Sequence, residues 1–221
     1  GNWQSSYNLL TTSTDDKDAN VINYLAAAYS AYQLGNKESW LQCLDKAEAE
    51  YPSARSTINT LRAQLLFKSG QLEQCVAVLE QLRKNSLNDV TLLQMLKEVY
   101  MQLEDWNQLA LLLPALEKNK IVDMQELATI QMRIFMEELY AIFGELGTDS
   151  DKQSVVNQLA KRWKKAPAKY REDEKIVKHY AELLTRLDEK ATAAKAVEMA
   201  ISRNWSDALV QLYGEQDYGT S

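Results

Sequence analysis

Apolar residues along most of the chain recur at intervals of three and four positions, the spacing that places them on one face of an α-helix. In residues 21–34, for example, Tyr24, Ala27, Ala28 and Ala31 share such a face. Good helix formers dominate the composition, and only seven Gly and three Pro are present. The pattern therefore predicts a series of amphipathic helices and no extensive sheet.

The turns between these helices recur at a fixed period. Gly1, Gly35, Gly70 and Glu104 mark successive turns, at steps of 34, 35 and 34 residues. A period near 34 is typical of tetratricopeptide (TPR) units, each of which is a pair of antiparallel helices. The sequence thus predicts an all-α, TPR-like, right-handed superhelical solenoid of about ten helices, whose product is a binding surface. At Glu104 the turn must form without the glycine that adopts a left-handed conformation most easily.

The period predicts a single domain that spans residues 1–221. Its parts are regular repeats over about 1–119, a degenerate helical pair over 123–166, a further repeat over 172–203 and a short terminal helix over 206–213. Asp123 and Ser206 are the expected N-caps of two of these helices. Because Gly1 occupies a turn within a unit, we expect the chain to be part of a longer protein.

The net charge of −6 argues against a general nucleic-acid binder, so no nucleic-acid partner is expected. Cys43 and Cys75 are too few for a disulfide framework, and we expect both to be reduced and buried. No apolar stretch in the sequence approaches the roughly 20 residues of a membrane-spanning helix.

Residues that could carry catalysis are sparse. His179 is the one histidine, and the sequence contains no Cys-x-x-Cys pair and no glycine-rich phosphate loop. A catalytic triad or a histidine-based zinc site would have to be built around His179 alone. We therefore predict a protein that is not an enzyme and has no metal site, with His179 on the concave side and without a special role.

Two rows of side chains at equivalent repeat positions form the predicted binding groove. The first row is Tyr29, Gln64 and Glu98, and the second, one helical turn further on, is Tyr32, Phe67 and Met101. Aromatic and methionine side chains suit an apolar peptide segment or helix. The alternative is that some of these side chains belong to the core between repeats.

The densest run of charge contains Lys161, Arg162, Lys164 and Lys165, interrupted by Trp163. Cations are favourable at a helix C-terminus, and Trp163 would then pack inward. The same residues could instead bind phosphate groups or anionic lipid headgroups.

Four stretches together resemble the HemY family of proteobacteria, TPR proteins associated with haem biosynthesis. They are Asn23-Tyr24-Leu25-Ala26-Ala27-Ala28, Glu104-Asp105-Trp106, the segment from Trp163 to Pro167, and Trp205 with Leu209-Val210-Gln211-Leu212-Tyr213-Gly214. The resemblance implies an inner-membrane protein whose N-terminal anchor precedes this region, and it implies no catalytic residues. The implied function is a scaffold that binds enzymes of haem synthesis.

The alternative function is a haem or porphyrin carrier. His179, a tyrosine or a methionine would then be the axial ligand of the iron, and haem would be the one cofactor.

Overall fold

The computed structural model describes residues 2–14, 20–146 and 151–215 and divides the chain into two compact units, Gly1–Val122 and Asp123–Ser221. The described residues form twelve α-helices. Ten of them are the five expected pairs, and α1 and α12 are single helices outside the pairs. The all-α fold of TPR-like helix pairs is confirmed. Within the same residues, no helix combines the length and the apolar composition needed to cross a membrane.

The first unit, here unit 1, contains one single helix and three pairs. The helices are α1 (Trp3–Thr14), α2 (Val21–Gln33), α3 (Lys37–Glu50), α4 (Arg55–Lys68), α5 (Leu72–Arg83), α6 (Val90–Gln102) and α7 (Trp106–Lys118). Polar side chains cap several N-termini: Asn36 accepts a hydrogen bond from the amide of Ser39, and Asp105 accepts one from the amide of Gln108.

The turn within each pair has one backbone geometry. Gly35, Gly70 and Glu104 are left-handed, with φ of 73°, 70° and 54°. At Gly35 the amide donates to the carbonyl of Tyr32 and the next amide donates to the carbonyl of Ala31, which is the Schellman arrangement. The same two hydrogen bonds occur at the other two turns. Glu104 therefore adopts the conformation that glycine adopts at the other two turns, a feature that the sequence did not predict. The first predicted turn, at Gly1, lies outside the described residues.

Small and large apolar side chains alternate in the core of unit 1. Ala28 on α2 and Ala47 on α3 are completely buried, and Trp40 is 1% exposed. Alanine allows the two helices of a pair to approach closely, and a large buried side chain such as an indole fills core volume that small residues leave.

The second unit, unit 2, contains two pairs and one single helix. The helices are α8 (Met124–Gly144), α9 (Lys152–Lys164), α10 (Glu174–Arg186), α11 (Lys190–Arg203) and α12 (Asp207–Glu215). Asp123 caps α8 through the amide of Glu126, and the hydroxyl of Ser206 accepts a hydrogen bond from the amide of Leu209 in α12. Both N-caps were predicted. The turn between α10 and α11 repeats the left-handed geometry at Asp188, where φ is 57°.

The core of unit 2 is aromatic where α8, α9 and α10 meet. The ring of Trp163 stacks on that of Tyr180 with a centroid distance of 4.0 Å and an interplanar angle of 6°. The ring of Phe135 lies 5.1 Å from that of Tyr170. Burial of its hydroxyl raises the pKa of Tyr180 to about 12, so this phenol is neutral at physiological pH.

Candidate protein-binding surface

The first helices of the three pairs of unit 1 carry both predicted rows. Tyr29 and Tyr32 lie on α2, Gln64 and Phe67 on α4, and Glu98 and Met101 on α6. Tyr29 is 36% exposed and Met101 39% exposed, while the other four side chains are half-buried. Solvent therefore reaches all six side chains.

Three of the six predicted residues line one surface depression of about 330 Å³ between α4 and α6. Its lining consists of Gln64, Phe67, Lys68, Thr91, Gln94, Met95 and Glu98. The volume is at the lower end of that of ordinary ligand sites, so one or two side chains of a partner would fill it.

The lining of this depression combines apolar and hydrogen-bonding groups. Phe67 and Met95 supply apolar surface, and Met95 can change its conformation to match an inserted side chain. Gln64 and Gln94 each supply an amide that can donate to a carbonyl and accept from an N–H. Such a lining can hold an apolar side chain together with the peptide backbone beside it.

Sequence reasoning missed Lys68, Thr91, Gln94 and Met95. The repeat register could have found the last two, since Gln94 and Met95 occupy on α6 the positions that Leu25 and Ala26 occupy on α2. The predicted rows lie four and seven residues after Gln94 on α6, at Glu98 and Met101.

A second feature of this surface is an aromatic group at the start of unit 1. The ring of Trp3 on α1 meets that of Tyr29 edge to face, with centroids 5.9 Å apart, and the ring of Tyr29 lies 6.2 Å from that of Tyr32. Trp3 is 37% exposed. It was not among the predicted site residues.

An ionic network fixes α4 against α3. Glu48 accepts from Arg55 at 2.6 Å and from Arg62 at 3.2 Å, and Arg62 also pairs with Asp45 at 2.8 Å. The amide of buried Asn59 donates to Glu48 and its carbonyl accepts from Arg62. Because these hydrogen-bonded charges connect the two helices, they help to position α4 and therefore Gln64 and Phe67.

His179 lies half-buried on α10 against α8. Its Nε2 is 3.2 Å from the carbonyl oxygen of Met136, and its ring centroid is 6.5 Å from that of Tyr140. A carbonyl oxygen only accepts, so Nε2 carries a proton and donates it. In the part of the chain that the structure describes, no three His, Cys, Asp or Glu side chains come together as metal ligands.

Both cysteines are buried on second helices, Cys43 on α3 and Cys75 on α5. Burial raises the pKa of the Cys43 thiol, and it raises the pKa of the Cys75 thiol to about 11. The Cys75 thiol also donates to the carbonyl of Ala63 at 3.3 Å. Neither thiol is therefore suited to nucleophilic chemistry at neutral pH.

The basic run lies at the end of α9. Lys161, Lys164 and Lys165 are exposed. The guanidinium of Arg162 instead forms an ion pair with Glu138 on α8 and lies 4.3 Å from the ring centroid of Phe135. Arg162 thus joins α9 to α8, whereas the three lysines are exposed and form no such link within the described residues.

Comparisons with known proteins show that the chain is distantly similar to curated proteins. No family model matches the chain. Protein HemY of Escherichia coli strain K12 and Protein HemY of Shigella flexneri are each 20% identical to it over 210 residues, which is 95% of the chain and 51% of the relative. The chain is HemY-like. It spans about half the length of the curated relatives that it matches.

Among solved structures, YrrB, described as a TPR protein with an unusual peptide-binding site, is similar to the chain. It is 15% identical, with a TM-score of 0.42, over 94% of this chain and 98% of YrrB.

Proposed function

We propose that the chain is a non-catalytic protein-interaction module, and that the face formed by α2, α4 and α6 binds an extended segment of a partner protein. The observation that carries this proposal is the depression between α4 and α6, which is built around Gln64, Phe67 and Glu98. Gln64 and Glu98 occupy the repeat position of Tyr29 on α2, and Phe67 occupies that of Tyr32, so the same face continues onto α2.

The chemistry of this face supports a peptide as the ligand. The Phe67 and Met95 side chains offer an apolar contact, and the amides of Gln64 and Gln94 offer hydrogen bonds to a backbone. Tyr32, Tyr29 and Met101 extend the apolar contact beyond the depression on either side. An extended peptide can reach all of these groups at once, because each repeat places its side chains one step further along the stack.

The partners that we propose are enzymes of haem biosynthesis. Support for this comes from the resemblance to HemY alone, which extends over nearly the whole chain at low identity. By the same resemblance, the longer protein is tethered to the inner membrane and presents this region as a scaffold.

The groove is tested with selected peptides. A random peptide library displayed on phage is selected on the immobilised wild-type chain, and an enriched peptide is then labelled and titrated. Tyr32→Ala combined with Phe67→Ala should weaken its binding by about thirtyfold, since truncating an aromatic anchor typically costs about 2 kcal/mol or more. Leu111→Ala is the matched control, because Leu111 is a 72% exposed apolar residue on the second helix α7.

Equal binding of the selected peptide by the double variant and the wild type, with both folded by circular dichroism, would contradict the proposal that this groove binds peptides.

The proposed class of partner is tested separately. Purified haem-synthesis enzymes are passed over the immobilised chain, and retention that the double variant loses supports the scaffold.

A further inference from the structure

A basic surface on unit 2 is independent of the groove. Residues 161–171 contain six of the chain's 25 basic residues and none of its 31 acidic ones. In a chain of net charge −6, these eleven positions form a local region of strong positive charge.

The structure separates the arginines of this segment from its lysines. Arg162 is neutralised by Glu138, and Arg171 is half-buried. Lys161, Lys164, Lys165 and Lys169 are exposed, and we refer to these four as the lysine patch. Among the residues that the structure describes, no carboxylate lies within ion-pair distance of any of these four ammonium groups.

The four lysines share one region of the surface. Lys161, Lys164 and Lys165 have the i, i+3, i+4 spacing that places side chains on one helical face. Lys169 follows α9, with its ammonium 5.3 Å from the ring centroid of Tyr170. That ring contacts Phe135, over which Arg162 lies, so Lys169 belongs to the same end of α9.

We propose that the lysine patch binds the headgroups of anionic lipids at a membrane surface. Ammonium groups on flexible stems are point charges without directional recognition, which suits a surface of delocalised negative charge. A binding site for a phosphopeptide or a carboxylate would use the bidentate guanidinium group of an arginine. Here Arg162 is already paired with Glu138.

Other polyanions fit this surface less well. Single-stranded nucleic acid binds by stacking its bases on exposed aromatic rings, whereas Trp163 is stacked on Tyr180. The helix macrodipole accounts for cations in the last turn of α9 but not for Lys169, which lies beyond the helix. Each lysine near an anionic surface strengthens binding by about fivefold, so four give useful affinity together.

The test is vesicle co-sedimentation of the 221-residue chain at low ionic strength. Vesicles of phosphatidylcholine alone are compared with vesicles that also contain phosphatidylglycerol. We expect binding to the second kind only, with loss of binding as salt is raised, because the Debye length then shortens. Lys161→Gln, Lys164→Gln and Lys165→Gln combined should weaken binding by about a hundredfold.

The matched control combines Lys46→Gln, Lys84→Gln and Lys118→Gln in unit 1. It removes the same charge from exposed lysines, two of which also lie at helix C-termini. Equal loss in both triple variants would show that net charge, not the patch, governs binding and would overturn the proposal. So would the absence of binding to the anionic vesicles, or tighter binding to a single-stranded oligonucleotide or a poly-glutamate peptide than to the vesicles.

Discussion

Replacing Glu104 by glycine should stabilise the protein. Glu104 is exposed and left-handed, with φ of 54°, at the turn position that Gly35 and Gly70 occupy in the preceding pairs. Its amide donates to the carbonyl of Met101 at 3.3 Å, longer than the 2.9 Å and 3.0 Å of the two glycine turns. We expect the main effect of the substitution to be relief of the backbone strain that the Cβ of Glu104 causes at this positive φ.

The magnitude follows from two opposing terms. A left-handed conformation costs an L-residue about 1–2 kcal/mol, which Glu104→Gly removes. Glycine also gives the unfolded chain more freedom, which offsets about 0.5–1 kcal/mol of that gain. The net stabilisation is about 0.5–1 kcal/mol, and it should raise the melting midpoint by about 1–4 °C in a chain of this size.

The converse variant is Gly70→Ala. A Cβ built on Gly70 meets no atom within 4 Å, so its cost is purely conformational and should be about 1 kcal/mol of lost stability. Urea unfolding followed by circular dichroism measures both variants. The reasoning is refuted if Glu104→Gly lowers the midpoint, or if Gly70→Ala leaves it unchanged.

Three further outcomes are expected. Ala28→Leu should lower the unfolding free energy by about 1–3 kcal/mol, because Ala28 is completely buried, and an unchanged urea midpoint would contradict this packing. The raised pKa of Cys75 means that the folded state disfavours its thiolate; stability should be fully present below pH 9 and fall as the pH rises toward about 11, and Cys75→Ala should reduce that fall in thermal melts. A scaffold requires no iron ligand, so titration with haem should give no Soret shift that depends on His179. A shift that His179→Ala abolishes would favour the alternative function of a haem carrier.

Local signals were enough to predict the helices and their turns. Glycine at a constant interval located two of the turns, and the cap at Asp123 followed from its place before an apolar run. The left-handed turn at Asp188 carries no such glycine, so only the helical periodicity on both sides indicated it. Lys120, left-handed at the end of α7, had no sequence signal at all.

The site was harder to predict, because side-chain neighbours depend on how helices pack. The register placed Gln64 and Glu98 on first helices, but the depression that they share with Met95 depends on the spacing of α4 and α6. His179 was expected on the concave side. The structure adds that it lies against the backbone of α8 at Met136, a neighbour that the register did not predict because the 34-residue period is interrupted there.

The stacking of Trp163 on Tyr180 gives unit 2 an optical reporter. Two parallel rings 4.0 Å apart couple their electronic transitions, so the pair should produce a near-ultraviolet circular dichroism band that disappears when α9 separates from α10. In unit 1 the buried indole of Trp40 should emit at short wavelength until that unit unfolds. The two signals let one unfolding experiment follow each unit by its own chromophore and show whether they unfold together.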